Sequence, residues 1–258
     1  MNKLIDWHFC VQKGMYFDEL KITKDCSYFL SKTIKDSYWN YALFNDNVEL
    51  DKLLIKNIES VFYAEDRVPC FYIVDEDTKL VEKLSAHGYD LLFEESFMVF
   101  QHKGVWDKNR DDLYVKRVNG DKEIIDFMNV FVSSYGGEKT PEQPYGELDK
   151  TYYDALLNSF SNAEKFYHYI CYMGSQAVSI ATLCFDNMKG GIYNVGTVPC
   201  FRGKGFGSAV TNACIHQWKQ MNGDVLFLQT ELGSSVEKWY YKMGFKQMFI
   251  GRGLGKEV

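Results

Sequence analysis

The chain has 258 residues, of which 46% are apolar and 25% charged, and its formal net charge is −6. This composition is ordinary for a globular protein that buries a sizeable core. The acidic balance and the lack of a basic stripe argue against a nucleic-acid partner. No stretch reaches the ~18 consecutive apolar residues of a membrane span, so we expect no membrane partner.

In chain order, the first half predicts alternating elements. They are a helix over 47–62, a strand over 70–74, a helix over 77–88 and one or two strands over 89–100. Asp77 is placed to cap the second helix, and Gly88 to end it. The charged stretch 102–112 then predicts a boundary near residue 105, which gives domains 1–105 and 106–258.

The second half predicts a longer series of helices and strands. Strands are expected over 113–118, 166–173, 177–185, 192–198, 224–232 and 245–251, and helices over 122–135, 149–160, 208–221 and 234–243. Loops or turns are expected over 135–147 and 187–191, and Ser234 and Glu237 have the spacing of a capping box. This alternation indicates an α/β or α+β fold.

The seven cysteines are odd in number, form no C-x-x-C pair and lie mostly in apolar segments. This pattern predicts reduced thiols rather than a disulfide framework or a zinc site, and we expect no metal. The opening residues MNKLIDWHFC lack the long apolar core of a signal peptide. We therefore expect a cytoplasmic protein.

The most informative stretch is TVPCFRGKGFGSAV, residues 197–210, between a predicted strand and a predicted helix. Glycines allow backbone to approach a ligand closely, and a helix start presents N–H groups to an anion. The stretch therefore predicts a phosphate site, with Arg202 and Lys204 adding charge. The alternative is a flexible turn with solvated cations. The G-x-G-x-x-G pattern does not fit, because Ser208 stands where the third glycine is needed, and no Walker A sequence G-x-x-x-x-G-K-[ST] occurs.

The stretch resembles the acyl-CoA loop of the GNAT acetyltransferase superfamily, R/Q-x-x-G-x-G/A, which here runs from Arg202 to Gly207. Val198-Pro199 before the loop and Ser208 after it also look like the family. The later segment WYYKMGF, residues 239–245, resembles the family's L-Y-x-K-x-G-F. The resemblance covers about residues 113–251. It departs from the family at Gly233, where an asparagine is common, although Ser234 stands beside it.

The first half also resembles the C-terminal part of this fold. Residues 71–100 run strand, helix, His87-Gly88-Tyr89 and strand, but they contain no R-x-x-G-x-G. We interpret the first half as a degenerate GNAT-like module that holds no cofactor. The alternative is an unrelated α/β domain, because short supersecondary similarity recurs by chance.

The resemblance implies a mixed, mostly antiparallel sheet flanked by helices, in which the parallel strands 192–198 and 224–232 splay to admit acetyl-CoA. The implied cofactor-binding residues are Val198, Pro199, Cys200, Arg202, Gly203, Lys204, Gly205, Phe206, Gly207, Ser208 and Ser234. Backbone of Val198 is expected to bond the pantetheine arm and to polarise the thioester carbonyl. Cys200 is not expected to act as a nucleophile.

Direct attack by an amine requires two proton transfers. The resemblance assigns Tyr240 as the acid for the leaving thiolate, the alternative being a core aromatic. Glu231 is a candidate base, although a solvated strand end or a cap partner is an equally simple role, and water can also take the proton. His168 and His216 are given no role.

The expected acceptor is a primary amine of a small molecule. Tyrosines 135, 145, 152 and 153 are candidates to line its pocket, the alternative being ordinary packing. Two other functions stay open: a non-catalytic acyl-CoA-binding or regulatory module, and a nucleotide-binding enzyme. A homodimer is also left open.

Overall fold

The computed structural model describes residues 3–45, 48–74, 78–101, 113–137 and 147–256. In chain order its helices are α1 Lys3–Gln12, α2 Lys52–Ala64, α3 Thr78–Ser85, α4 Asp121–Tyr135, α5 Lys150–Ser159, α6 Phe206–Gln220 and α7 Ser235–Lys242. Its strands are β1 Glu19–Ile22, β2 Cys26–Leu30, β3 Tyr41–Phe44, β4 Cys70–Val74, β5 Asp90–Phe100, β6 Tyr114–Arg117, β7 Phe166–Met173, β8 Gln176–Asp186, β9 Lys189–Thr197, β10 Val225–Glu231 and β11 Phe245–Gly255.

The chain forms two compact units, described separately below. The first unit combines Met1–Val99 with Gln229–Val258, and the second is Phe100–Leu228. The division differs from the predicted pair 1–105 and 106–258, because the C-terminal segment packs with the first hundred residues. The predicted linker 102–112 lies outside the described residues, so a family-domain boundary near 105 stays a prediction.

The first unit has the strand order β1-β2-β3-β4-β11-β5. β3 and β4 are parallel, whereas β4 and β11 are antiparallel with Gly251 opposite Val74 and Gly255 opposite Cys70. Helix α2 buries Ile58 and Phe62 in the core of this unit. The pairing of β11 with β4 explains why the last residues group with the first half.

The second unit has the strand order β10-β9-β8-β7-β6. Strands β6 to β9 pair antiparallel in succession, and α4 and α6 both pack on β8 and β9. β9 and β10 are parallel, with Val225–Phe227 opposite Lys189–Gly191. The predicted parallel pairing of strands 192–198 and 224–232 is therefore confirmed. β9, the first of these two strands, leads into the glycine stretch.

Most predicted elements from residue 47 onward are present, with shifted ends. β9 begins at Lys189 rather than 192, because Asn187 and Met188 both adopt positive φ and make a two-residue hairpin turn. β11 continues to Gly255, beyond the predicted end at 251, because its last five residues pair with β4.

Four elements were not predicted: α1, β1, β2 and β3, all within the first 44 residues. The predicted cap Asp77 lies outside the described residues. Within the described ranges, no helix is long and apolar enough to cross a membrane.

Candidate functional site

The glycine stretch connects the end of β9 to the start of α6. After Thr197, a 3₁₀ turn over Pro199–Phe201 reverses the chain, and α6 begins at Phe206 with Gly205 as its N-cap residue. Gly203 and Gly205 have φ of +74° and +89°, a region of backbone conformation that residues other than glycine rarely adopt. A Cβ atom at Gly203 would meet no atom within 4 Å, so the space beside this backbone is open.

This loop presents backbone N–H groups at the positive end of a 15-residue helix. The bond from the Ala209 N–H to the Gly205 carbonyl begins the helical ladder, so the N–H groups of residues 206–208 precede it. Gly207 accepts a bond from the Thr211 hydroxyl at 2.8 Å, and Phe206 is buried edge-on against Phe201. The arrangement suits a phosphate or pyrophosphate.

Arg202 holds the loop in place. Its Nε donates to the Thr197 carbonyl at 3.2 Å, and its Nη2 donates to the Ser134 carbonyl at 3.1 Å, near the C-terminus of α4. A guanidinium there also complements the negative end of the helix. The structure therefore gives Arg202 a structural role in the loop, which the sequence did not predict. Its role as a positive charge for a bound anion stays a prediction.

The other predicted loop residues also make backbone contacts. Lys204 Nζ donates to the Cys200 carbonyl at 3.0 Å and lies 5.3 Å from the ring centre of Phe201. Cys200 is an exposed free thiol. The Val198 N–H donates to the Val178 carbonyl at 3.0 Å. The predicted polarising role of Val198 therefore requires revision, because β8 already occupies its N–H group.

A β-bulge in β9 lies close before this loop. The pairing with β8 skips from Ile180–Gly196 to Thr182–Tyr193, so Asn194 and Val195 together oppose one residue. Asn194 has φ of +54°, and the Tyr135 hydroxyl donates to the Val195 carbonyl at 2.9 Å. Bulges of this kind occur often beside active sites. No residue pattern in the sequence marked this one.

A buried histidine supports the bulge. The Ser159 hydroxyl donates to the Leu156 carbonyl, so His168 Nε2 must donate to Ser159 Oγ, at 3.1 Å. Nδ1 then accepts from Thr182 Oγ1 at 2.9 Å, and Thr182 Oγ1 accepts from Asn194 at 3.3 Å. Burial, together with the charge of Arg117, lowers the pKa of His168 to about 3. His168 is therefore a neutral structural residue.

The remaining predicted residues lie in the first unit, around the start of α7. Ser234 caps this helix: its Oγ accepts from the Glu237 N–H at 3.0 Å and donates to the Glu231 carbonyl at 2.8 Å. The Glu237 carboxylate accepts from the Gly233 N–H at 2.8 Å, one residue before the N-cap residue, so only the Ser234 half of the expected capping box is formed. The cap occupies Ser234, which weakens its predicted role as a substitute for the family's asparagine.

Tyr240 and Glu231 have opposite environments. Tyr240 is only 5% exposed, with its ring 4.5 Å from Trp239 and 5.6 Å from Phe245. Glu231 is exposed at the end of β10. Their predicted roles as acid and base stay predictions.

The predicted tyrosines of the acceptor pocket do not all fall in the described residues, because Tyr145 lies outside them. Tyr135 and Tyr152 are half-buried. Tyr153 lines an open cleft of about 420 Å³ with Val132 and Leu148. Over the described ranges, no group of three or more histidine, cysteine or acidic residues is placed to hold a metal ion.

Comparison with known families gives a match in the C-terminal part of the chain. Residues 170–255 match the family described as FR47-like protein. This C-terminal stretch is similar to an FR47-like, GNAT-related domain. It includes the loop, the bulge and α7. No curated protein sequence matches the chain.

Solved structures show that the similarity in fold extends to nearly the whole chain. A GCN5-related N-acetyltransferase from Kribbella flavida shares 16% identity at a TM-score of 0.68, covering 93% of this chain and 90% of that one. A functionally unknown conserved protein from Staphylococcus epidermidis shares 15% identity at a TM-score of 0.71, covering 95% and 96%. The fold is the GNAT fold, as the loop and WYYKMGF motifs predicted.

A third structure bears on the first half. It is a tandem GNAT protein from the clavulanic acid biosynthesis pathway, with 10% identity and a TM-score of 0.60 over 89% of this chain and 77% of that one. The likeness concerns the fold alone. It agrees with the resemblance between residues 71–100 and the C-terminal part of the GNAT fold.

Proposed function

We propose that the protein is an acetyl-CoA-dependent N-acetyltransferase that moves an acetyl group to a primary amine of a small molecule. The observation that carries the proposal is the loop over Gly203–Ser208, with two left-handed glycines and open space at the N-terminus of α6. In a GNAT fold this is where the pyrophosphate of an acyl-CoA fits.

The chain's own groups then have simple roles. Acetyl-CoA supplies the acetyl group as an activated thioester. Loop amides over Gly203–Ser208 hold its phosphates, and the enzyme aligns the amine for direct attack, which needs proximity rather than a special nucleophile. Tyr240 gives a proton to the departing sulfur, and Glu231 is one candidate to take the proton from the amine. We expect the enzyme to act in the cytoplasm, with no nucleic-acid or membrane partner, and a homodimer fits this function.

The test is calorimetric titration of acetyl-CoA into the wild type and into Gly205→Glu. A carboxylate at Gly205 would project an anion into the proposed pyrophosphate site, so binding should be lost. Gly174→Glu is the matched control, because Gly174 has positive φ like Gly205, at +61°, but lies in open surroundings in the β7–β8 turn. If the wild type does not bind, or if both variants bind as well as the wild type, the proposal fails.

Turnover separates the enzyme from its alternative. A non-catalytic acyl-CoA-binding module would bind acetyl-CoA in the same titration, because it keeps the same loop. It would not release thiol when a library of primary amines is added. Release of free CoA thiol that depends on an amine supports the enzyme, and tight binding without release supports the module.

A further inference from the structure

A buried carboxylate on β5 is held by hydroxyl groups. Glu95 is 4% exposed, and the Tyr72 hydroxyl donates to its Oε1 at 2.6 Å while the Tyr38 hydroxyl donates to its Oε2 at 2.7 Å. Gln229 Nε2 in turn donates to the Tyr38 oxygen at 3.0 Å. These four residues, all in the first unit, are called the Glu95 cluster. None of the roles assigned above uses them.

The cluster has acceptors without a cation. Within the described part of the chain, no lysine or arginine pairs with Glu95. Gln229 Oε1 is buried there and has no hydrogen-bond donor. Burial raises the pKa of Glu95 to about 7, against the lowering effect of the bonds from Tyr72 and Tyr38. Buried acceptors of this kind are costly unless a donor reaches them.

The groups that face Glu95 from neighbouring strands are also neutral. Tyr41 on β3 and Cys70 on β4 both have raised pKa values, first because they are buried and then because of nearby acidic groups that include Glu95. They keep their protons at physiological pH. No positive charge within the cluster therefore balances an ionised Glu95.

The same unit contains a similar arrangement with its cation in place. Glu59 accepts from the Tyr89 hydroxyl at 2.5 Å and from Lys256 Nζ at 2.6 Å. The Lys256 nitrogen also lies 4.5 Å from the ring centre of Tyr89. Burial opposes ionisation of Glu59, but the bonds from Lys256 and Tyr89 lower its pKa overall. A carboxylate and a tyrosine thus hold an ammonium group in this protein.

We propose that the Glu95 cluster binds the protonated amino group of the acyl acceptor and takes a proton from it. The proposal rests on the proposed function, which requires an amine. An ammonium group has only donors, and the cluster offers the Glu95 carboxylate and Gln229 Oε1 as acceptors. Tyr38 and Gln229 are partly exposed, so the amine would reach the cluster from their side. The ring centres of Trp39 and Phe93 lie 5.0 and 4.9 Å from the ring centre of Tyr38.

Two protons leave the ammonium nitrogen in each turnover. The ammonium gives one proton to Glu95, and the free amine forms a bond to the thioester carbonyl carbon. The carbon–sulfur bond then breaks, and the sulfur carries away its electron pair. The second nitrogen proton is lost to water as the amide forms. The sulfur receives a proton from Tyr240, and water returns one proton to Tyr240. Glu95 releases its proton to water, so each turnover yields an amide, a free thiol and one proton.

Binding can be tested without turnover. In protein labelled with ¹³C at glutamate carboxyls, the Glu95 signal is assigned by its loss in Glu95→Gln and followed against pH. Methylammonium chloride should lower the pKa of Glu95 by about one pH unit or more, because a nearby positive charge favours the carboxylate. Tetramethylammonium, which has no N–H donor, should do so much less. No change up to about 0.1 M methylammonium, which covers millimolar dissociation constants, would overturn the proposal.

Glu59 is the internal control, because Lys256 already occupies its ammonium position. Its signal should not respond to methylammonium. An equal shift at Glu59 and Glu95 would mean a general salt effect and would also overturn the proposal.

A second experiment separates this inference from the proposed function. Glu95→Gln should bind acetyl-CoA like the wild type but lose about 10²-fold or more in kcat/KM for the amine, a typical effect of removing a general base. Glu231→Gln should lose less. Failure of the wild type to bind acetyl-CoA would reject the proposed function, whereas equal kcat/KM in Glu95→Gln would reject only the inference.

Discussion

The Glu95→Gln variant should gain stability over the wild type as the pH rises. In the folded protein the pKa of Glu95 is raised from 4.5 to about 7 by burial, so the native state holds a proton that the unfolded chain releases. This contribution is fully present below pH 4.5 and is lost as the pH rises through about 7. The difference corresponds to about 3 kcal/mol, because each pKa unit is worth about 1.4 kcal/mol. A neutral glutamine pays no such penalty.

The assay is urea unfolding of the wild type and Glu95→Gln across the range from about pH 5 to about pH 8, without acetyl-CoA. The free energy of unfolding of the variant, relative to the wild type, should rise by about 2.5 kcal/mol over this range, most of the full difference. Glu59→Gln should show almost no change over this range, because the pKa of Glu59 is lowered from 4.5 in the folded state and its contribution is lost only at lower pH. A pH-independent difference between wild type and Glu95→Gln would refute the reasoning.

Two further predictions concern single side chains. Tyr240→Phe should lose about 10²-fold or more in kcat for thiol release, because the variant lacks the proton donor. Its affinity for acetyl-CoA should not change, because the ring keeps its packing against Trp239 and Phe245. An unchanged kcat would reject the acid role. The wild type should lose about 1.4 kcal/mol per pH unit below 6.5 through His168, whose pKa falls to about 3 on folding. Urea unfolding of His168→Gln should show a correspondingly smaller loss, and an equal loss would contradict the assignment.

The second unit was largely predictable from the sequence, because its elements carry local signals. The hairpin of β7 and β8 follows from two apolar β-rich runs around Gly174, and α4 from its apolar periodicity before Gly136. In the first unit, Ser234 and Glu237 have capping-box spacing, and Ser234 caps α7 as this spacing predicts. The loop at Gly203 and Gly205 was recognisable because only glycine satisfies its backbone geometry.

Features that depend on distant partners could not be predicted in this way. β1 and β3 have only four residues each, too few for a periodic pattern, and they exist as part of a sheet built across the first hundred residues. Val198 was expected to be available to a ligand, but its pairing with β8 follows from the sheet register. The Glu95 cluster joins residues 191 positions apart, Tyr38 and Gln229, which no local pattern connects.

The fragment 106–258, the predicted catalytic domain, should not fold by itself. Residues Gly251–Gly255 of β11 pair with Cys70–Val74 of β4 across five consecutive positions, and Leu254 is buried in the core that surrounds Phe71. The fragment would lose β4 and this core, leaving an apolar strand edge open to aggregation. We expect it to be insoluble or to lack a cooperative thermal transition by circular dichroism, whereas the full chain unfolds cooperatively. A soluble fragment that unfolds cooperatively and binds acetyl-CoA would show that β4 is dispensable, and that residues 106–258 are an autonomous domain despite the pairing of β11.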